Sequence, residues 1–320
     1  MNAAAERRLA RYVTDRYGLA APVACRLLRT YTNDVYAVTS AAGERFVLKV
    51  YGAGWRTESA IRYEAALLAH LAARGLSVSA PVVRADGDVL GQAASDDDPP
   101  CWAVLFPYAP GEKPRPPFSG ALYERFGEAV ARMHALSDDF ATEHPRRALD
   151  LAYLIDEPLA RVAPLHATAP DDRDSLLSLA ARARERVAAL DAGGLDRGPI
   201  HGDASLDNLH VTPDGVVTLF DFDSGGPGWR AADLQGWAAP PGTEHRAKWD
   251  AFHRGYAAVR TLRPADLLAA PWLTLAVDIW GIRVDLDRRV LGQGRERAEA
   301  FARERVRALR EREQALFPRG

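Results

Sequence analysis

Asp203, Asn208 and Asp221 carry side-chain oxygens inside two otherwise apolar stretches, "IHGDASLDNLHV" (200–211) and "LFDFDSGGPGW" (219–229). Alternation along "VVTLFDFD" predicts a strand with Val217, Leu219, Asp221 and Asp223 on one face. Carboxylates at the end of such a face are costly unless a cation compensates them. The turn "TPDG" folds "DNLHV" back alongside, so Asn208 and Asp221 can approach each other. A carboxylate and an amide oxygen, with room for water and phosphate, are the hard donors that Mg²⁺ takes. Asp203, on the adjoining loop, can accept a proton. The order D-x-x-x-x-N and then a strand ending in Asp is a phosphoryl-transfer layout. A polar hairpin with capping aspartates explains each residue singly, but not the three together. His201 and His210 match no zinc-ligand spacing, which disfavours metal-dependent hydrolysis.

Phosphoryl transfer also needs a cation for the nucleotide phosphates. Lys49 stands mid-strand in "FVLKVY", one of only three lysines in an arginine-rich chain. Ile61, Glu64, Leu68 and Leu71 share one face of the helix predicted over 58–74. Glu64 therefore lies on an apolar face, where an unpaired carboxylate is expensive. A Lys49–Glu64 pair removes that cost and aims the ammonium at the α- and β-phosphates. The turn in "RTYTNDVYAV" has no glycine, so Thr32, Asn33 or backbone amides there must cover the phosphates, unless it is an ordinary hairpin turn. In "LFPYAPG", the Pro107 carbonyl and the Ala109 N–H can meet an adenine ring, with Phe106 as the back wall; alone, this pattern is also that of a plain linker.

The elements that must position these residues divide the chain. "DVYAVTS" and "RFVLKVY" read as a hairpin, "DGDVLGQ" as a turn and short strand, and "CWAVLFPY" as a further strand. "APGEKPRPP" is a proline-rich linker. Beyond it the pattern is helical, with Leu122, Phe126, Val130 and Met133 on one stripe and a second helix over 174–190. The strand-rich island that holds Asp203 and Asp221 interrupts it. The expected organisation is an α+β fold of two lobes with a cleft between them: 1–106, a hinge at 107–117, and 118–320.

The formal net charge of −2 leaves no basic footprint for nucleic acid. Two distant cysteines build neither a disulfide framework nor a cysteine zinc site. The N-terminus reads as an amphipathic helix rather than a signal peptide, and no run of about 18 apolar residues predicts a membrane span. A cytoplasmic protein is expected. The acidic "SDDDPP" reads as an exposed loop.

Together, "HGDASLDN", "LFDFDSGGPGWRAADL", "FVLKVY" with Glu64, and "LFPYAPGE" resemble the aminoglycoside phosphotransferase family over about residues 25–290. This family includes antibiotic kinases, type II homoserine kinases, choline kinase relatives and some sugar kinases. The resemblance implies a protein-kinase-like fold and transfer of the γ-phosphate of ATP, or GTP, to a hydroxyl. By position Asp203 looks like the base, Asn208 and Asp221 like Mg²⁺ ligands, Lys49 like the phosphate lysine, and Asp233 like a structural brace. Asp207 replaces a glycine common in the family. The "DFDSGGPGWRAADL" form is similar to the homoserine-kinase and stress-response-kinase branches.

The implied acceptor is a small molecule, an antibiotic or secondary metabolite first. Homoserine, an amino alcohol or a sugar, a protein hydroxyl, and a silent nucleotide-binding module are the alternatives. Asp207 and Asp223 flank the base. Asp278 and Asp285, seven residues apart, share a helix face with Trp280 at its edge, and Trp237 follows the "DL" segment. These suit an amino-bearing acceptor; a solvated face with Arg283 and Arg288 as salt-bridge partners explains the same helix.

Overall fold

The computed structural model describes residues 3–93, 101–234 and 244–317. The chain opens with helix α1 (Ala3–Tyr17), then β1 (Ala24–Thr30), β2 (Asn33–Thr39) and β3 (Arg45–Tyr51). Helix α2 (Glu58–Ala73), β4 (Gly91–Ala93) and β5 (Cys101–Pro107) follow. These strands form an antiparallel sheet in the order β1-β2-β3-β5-β4. Lys49 thus stands on the central strand, beside Val35 of β2 and Val104 of β5, and is no edge residue. Alternation sends neighbours to opposite faces. Leu48 joins Leu9 and Val13 of α1 in a core with Cys25, Tyr36 and Val38. Lys49 meets α2 instead. Thr57 caps α2 by accepting from Ala60 N–H at 3.2 Å.

Next come α3 (Gly120–Leu136), α4 (Glu157–Val162), α5 (Pro170–Asp191) and β6 (Arg197–Ile200). Short strands β7 (Leu209–Val211) and β8 (Val217–Leu219) make the expected hairpin, and β9 (Gly226–Trp229) pairs with β6. Helices α6 (Glu244–Ala257), α7 (Pro264–Asp285) and α8 (Arg295–Leu316) complete the chain. α3 and α6 approach closely because both carry glycine at the crossing: a Cβ on Gly127 would lie 2.0 Å from the Phe252 carbonyl oxygen. By length and composition the segment Pro264–Val290 could cross a membrane, a nearer approach to a span than sequence counting found. It includes Asp266 and Asp278, and 56% of its most apolar window is buried within the fold. Here it serves as a core helix, enclosing Leu273, Leu275, Ala276 and Ile279.

Two compact units result. One comprises Met1–Lys113, Asp139–Arg146 and Leu209–Asp223; the other comprises Pro114–Asp138, Arg147–Asn208 and Ser224–Gly320. The first break falls inside the proline-rich segment. Two later pieces of chain then return to the first unit, and the β7–β8 hairpin is one of them. The acidic loop and Trp237 lie outside the described residues.

Candidate active site

In the first unit the functional side chains gather on the α2 face of the sheet. The Lys49 ammonium donates to Glu64 Oε1 at 3.0 Å and pairs with Asp221 Oδ1 at 2.9 Å. Tyr51 Oη donates to the other Glu64 oxygen at 3.0 Å. Lys49, Tyr51 and Glu64 are all buried. Burial works against the lysine charge, but Asp221 and Glu64 outweigh it and hold its pKa well above the ordinary value. Burial likewise opposes ionisation of Asp221, and Lys49 still keeps that carboxyl below the usual aspartate value.

The predicted strand through Asp223 ends early. β8 stops at Leu219, Asp221 adopts φ 64°, and 222–224 form a 3₁₀ turn. Among the described residues Asp221 is the only non-glycine with positive φ. Strained conformations of this kind cost about 1–3 kcal/mol and cluster where a side chain is held for a task. The departure from strand geometry separates Asp221 from Asp223. Asp221 meets Lys49, whereas Asp223 turns into a buried nest of donors. Asn33 Nδ2 (3.1 Å) and Trp55 Nε1 (2.6 Å) donate to Oδ2, and Arg56 Nε (3.1 Å) donates to Oδ1. Arg56 and Arg146 also donate to the Asp223 carbonyl. Burial opposes the Asp223 charge, yet Arg56, Lys49 and Arg146 hold the carboxyl far below the ordinary range. Asp223 is therefore corrected from an acceptor-facing carboxylate to an internal anchor.

Asn33 is drawn inward by the same nest and also accepts from Gly52 N–H at 3.4 Å. Thr32 lies in the β1–β2 turn, half-buried. Pro107 is exposed at the end of β5, while Phe106 and Ala109 are buried. The Ala109 carbonyl is taken by His210 Nδ1 at 2.9 Å, which accounts for a buried histidine without a metal.

The second unit builds the loop around Asp203. Asp233 is completely buried and accepts from the backbone N–H groups of His201 and Gly202, both at 2.7 Å. It also meets His134 Nε2 at 3.0 Å, while His134 Nδ1 meets Tyr256 Oη at 2.7 Å. Burial opposes the Asp233 charge, but hydrogen bonds lower its pKa, that from His134 foremost. Gly202 has φ 76°, and a Cβ there would lie 2.3 Å from the Ser224 carbonyl oxygen, so only glycine fits. So braced, the loop leaves Asp203 exposed, with Oδ2 accepting from Asn208 Nδ2 at 2.8 Å. Asn208 Nδ2 also donates to the Asp203 carbonyl at 2.9 Å. The amide nitrogen is thereby committed, which makes the Asn208 carbonyl oxygen the end that can ligate a cation. Asp207 is exposed on the same loop.

On α7, Asp285 pairs with Arg305 at 2.8 Å and Arg289 at 3.6 Å, and Asp278 with Arg312 at 3.6 Å. The counter-charges include the α8 arginines Arg305 and Arg312, while Arg283 pairs with Glu157 and Asp287. Trp280 is buried against Tyr153, ring centroids 6.0 Å apart. Sequence reasoning missed Tyr51, Arg29, Arg56, Arg146 and His134. His134 could have been found: it lies on the apolar stripe of α3, where a polar side chain needs a partner. Arg29 and Arg146 gave no such signal, since their partners are 192 and 77 residues away.

A five-stranded sheet with a buried lysine–glutamate pair, and a helical unit with a braced Asp–Asn loop, define a kinase-like α+β phosphotransferase. The chain belongs to the phosphotransferase enzyme family, APH, whose family model matches residues 24–268, and it is a phosphotransferase with an alcohol group as acceptor. It is 41% identical over 282 residues to an uncharacterized protein of Deinococcus radiodurans, covering 85% of this chain and 79% of the other. It is 33% identical over 217 residues to a homoserine kinase of Methylobacterium radiotolerans, covering 65% and 63%. The fold matches an amicoumacin kinase solved with AMP-PNP, Ca²⁺ and Ami, with TM-score 0.76, 19% identity, and 100% and 98% of the two chains covered. It also matches a microcompartment-associated aminopropanol kinase, with TM-score 0.72, 20% identity, and 95% and 96% covered.

Proposed function

We propose that this phosphotransferase moves the γ-phosphate of ATP to a hydroxyl of a small amine-bearing molecule, an antibiotic or other secondary metabolite first, in the cytoplasm. The observation that carries the reading is the Lys49 ammonium held between Glu64 and Asp221. A buried cation aimed by one carboxylate toward a second is the arrangement that receives a metal–polyphosphate. In this reading the clusters of both units serve one reaction. Asn208 and Asp221 hold Mg²⁺, which supplies charge neutralisation of the triphosphate. Lys49 binds the α- and β-phosphates, and backbone groups near Pro107 and Ala109 meet the base, against Phe106. Asp203 takes the proton of the acceptor hydroxyl and orients its oxygen; the Asn208 amide fixes the carboxylate. The Asp233 brace, bonded to two successive N–H groups, keeps the loop from relaxing.

The amine in the acceptor rests on a shared chemistry. Homoserine and aminopropanol, named for two of the similar proteins, each carry an amine and a hydroxyl. A metabolic role on homoserine itself is the second reading, favoured by the 33% identity to the Methylobacterium enzyme. An ADP-release screen over aminoglycosides, spectinomycin, amicoumacin, homoserine, aminopropanol, choline and sugars decides between them. Asp203→Ala should lower kcat by about 10²–10⁴-fold and leave ATP affinity nearly unchanged. A variant that keeps more than about a tenth of the wild-type rate sinks the base assignment.

A further inference from the structure

Asp221 divides its two oxygens between two cations. Lys49 takes Oδ1, and Arg29 of β1 takes Oδ2. The two differ in how they are held. The Lys49 side chain is 6% exposed and keeps Glu64 as a second carboxylate, whereas the Arg29 side chain is 57% exposed. Among the described residues Asp221 is the only ion-pair partner of Arg29. Arg29 reaches Asp221 because β1 is irregular. Cys25 and Leu27 face the α1 core, and strict alternation would send residue 29 to that face too. A register shift between Leu27 and Arg29 breaks the alternation and turns Arg29 toward Asp221.

The adjoining β1–β2 turn contains no glycine to bring backbone N–H groups onto a phosphate. Asn33 is not available there, since its amide is spent on Asp223 and Gly52. Arg29 offers guanidinium donors at that edge, in the fork geometry that suits phosphate oxygens.

The geometry points to Arg29 as an exchanging residue, which pairs with Asp221 until a metal–nucleotide displaces it and then binds the polyphosphate. The inference rests on Asp221 being a cation ligand, as proposed above. A divalent cation at Asp221 must remove a competing cation, and the exposed, singly tethered Arg29 leaves more readily than Lys49. Freed, it lies beside the phosphates that arrive with the metal.

Two binding measurements test this, neither of them turnover. Mn²⁺ binding without nucleotide, followed by electron paramagnetic resonance, should tighten about two- to fivefold in Arg29→Ala, because an exposed competitor has gone. ATP binding with Mn²⁺, followed by calorimetry, should weaken about tenfold in the same variant, because a charge-assisted phosphate contact has gone. Adenosine binding should not change, and Arg29→Lys should recover part of the ATP affinity. If either Mn²⁺ or ATP affinity stays at its wild-type value in Arg29→Ala, the exchange is wrong. Loss of adenosine affinity would overturn it as well, by showing that Arg29 shapes the pocket generally. Asp221→Asn separates the underlying assignment: it should lose Mn²⁺ binding, and wild-type Mn²⁺ affinity there removes the metal role of Asp221 and this inference with it.

Discussion

Lys49 is surrounded by charge of its own unit, so its partners matter to stability as well as to chemistry. Glu64 receives both Lys49 and Tyr51 Oη. Glu64→Gln keeps the shape but removes the charge and turns an N–H group toward one of these donors. Breaking a buried pair in this way should cost about 3 kcal/mol, read as a lower urea midpoint with an unchanged slope. A variant as stable as the wild type would show that the pair contributes nothing to the fold. Two histidines set a pH dependence. Burial lowers the pKa of His134 from 6.5, with Asp233 offsetting only part of this, and burial also lowers that of His166. The unfolded chain protonates these rings near 6.5, the folded chain only at lower pH, so below about 6.5 the unfolded state binds more protons and stability falls. Neither ring nitrogen of buried His166 has a hydrogen-bond partner among the described residues. Unfolding measured from about pH 7.5 to about pH 5 should show this loss, and His166→Leu should flatten part of it. A slope identical to wild type would remove His166 from the account.

The elements act by fixing the ends of short loops. β6 delivers the chain into His201 and Gly202, and the buried Asp233 at 230–234 captures both N–H groups. Gly202→Ala would put a methyl against the Ser224 carbonyl in a backbone conformation that alanine resists. The loop must shift, at a cost of about 2 kcal/mol or more, and the hold on Asp203 is lost with it. Differential scanning calorimetry and kcat should fall together; a stable, active Gly202→Ala enzyme would show that the brace does not set the loop. The β7–β8 hairpin works differently. It ends at Leu219 so that Asp221 can leave strand geometry and meet Lys49. Alternation predicted Asp221 and Asp223 on one face, because the pattern of residue types does not reveal a single positive φ.

For the whole molecule, ligand linkage gives the broadest test. If ATP and Mg²⁺ bind the folded chain, ATP–Mg²⁺ at about a hundred times its Kd should add about 2.7 kcal/mol of stability, a clear rise in Tm. ATP without a divalent cation should give less. No shift with either would remove nucleotide binding, and with it the proposed reaction. The break near Lys113 falls in the proline-rich segment that the sequence marks as a linker. The return of 139–146 and 209–223 to the first unit left no trace in local pattern, since joining distant pieces depends on contacts between residues far apart in the chain.

The sequence by itself singled out Lys49, Glu64 and Asp221 as candidates, because each puts a charge where local pattern demands an apolar residue, and Asp203 and Asn208 through their D-x-x-x-x-N order. A charge in such a place must have a reason that spacing can expose. It also determined the main helices and strands, through periodicity. Only the tertiary structure decided what neutralises each carboxylate: Arg29 and Lys49 on Asp221, Arg56 on Asp223, and α8 arginines on Asp278 and Asp285. Coulomb attraction depends on distance in space, and among many similar arginines no local pattern says which one the fold brings near.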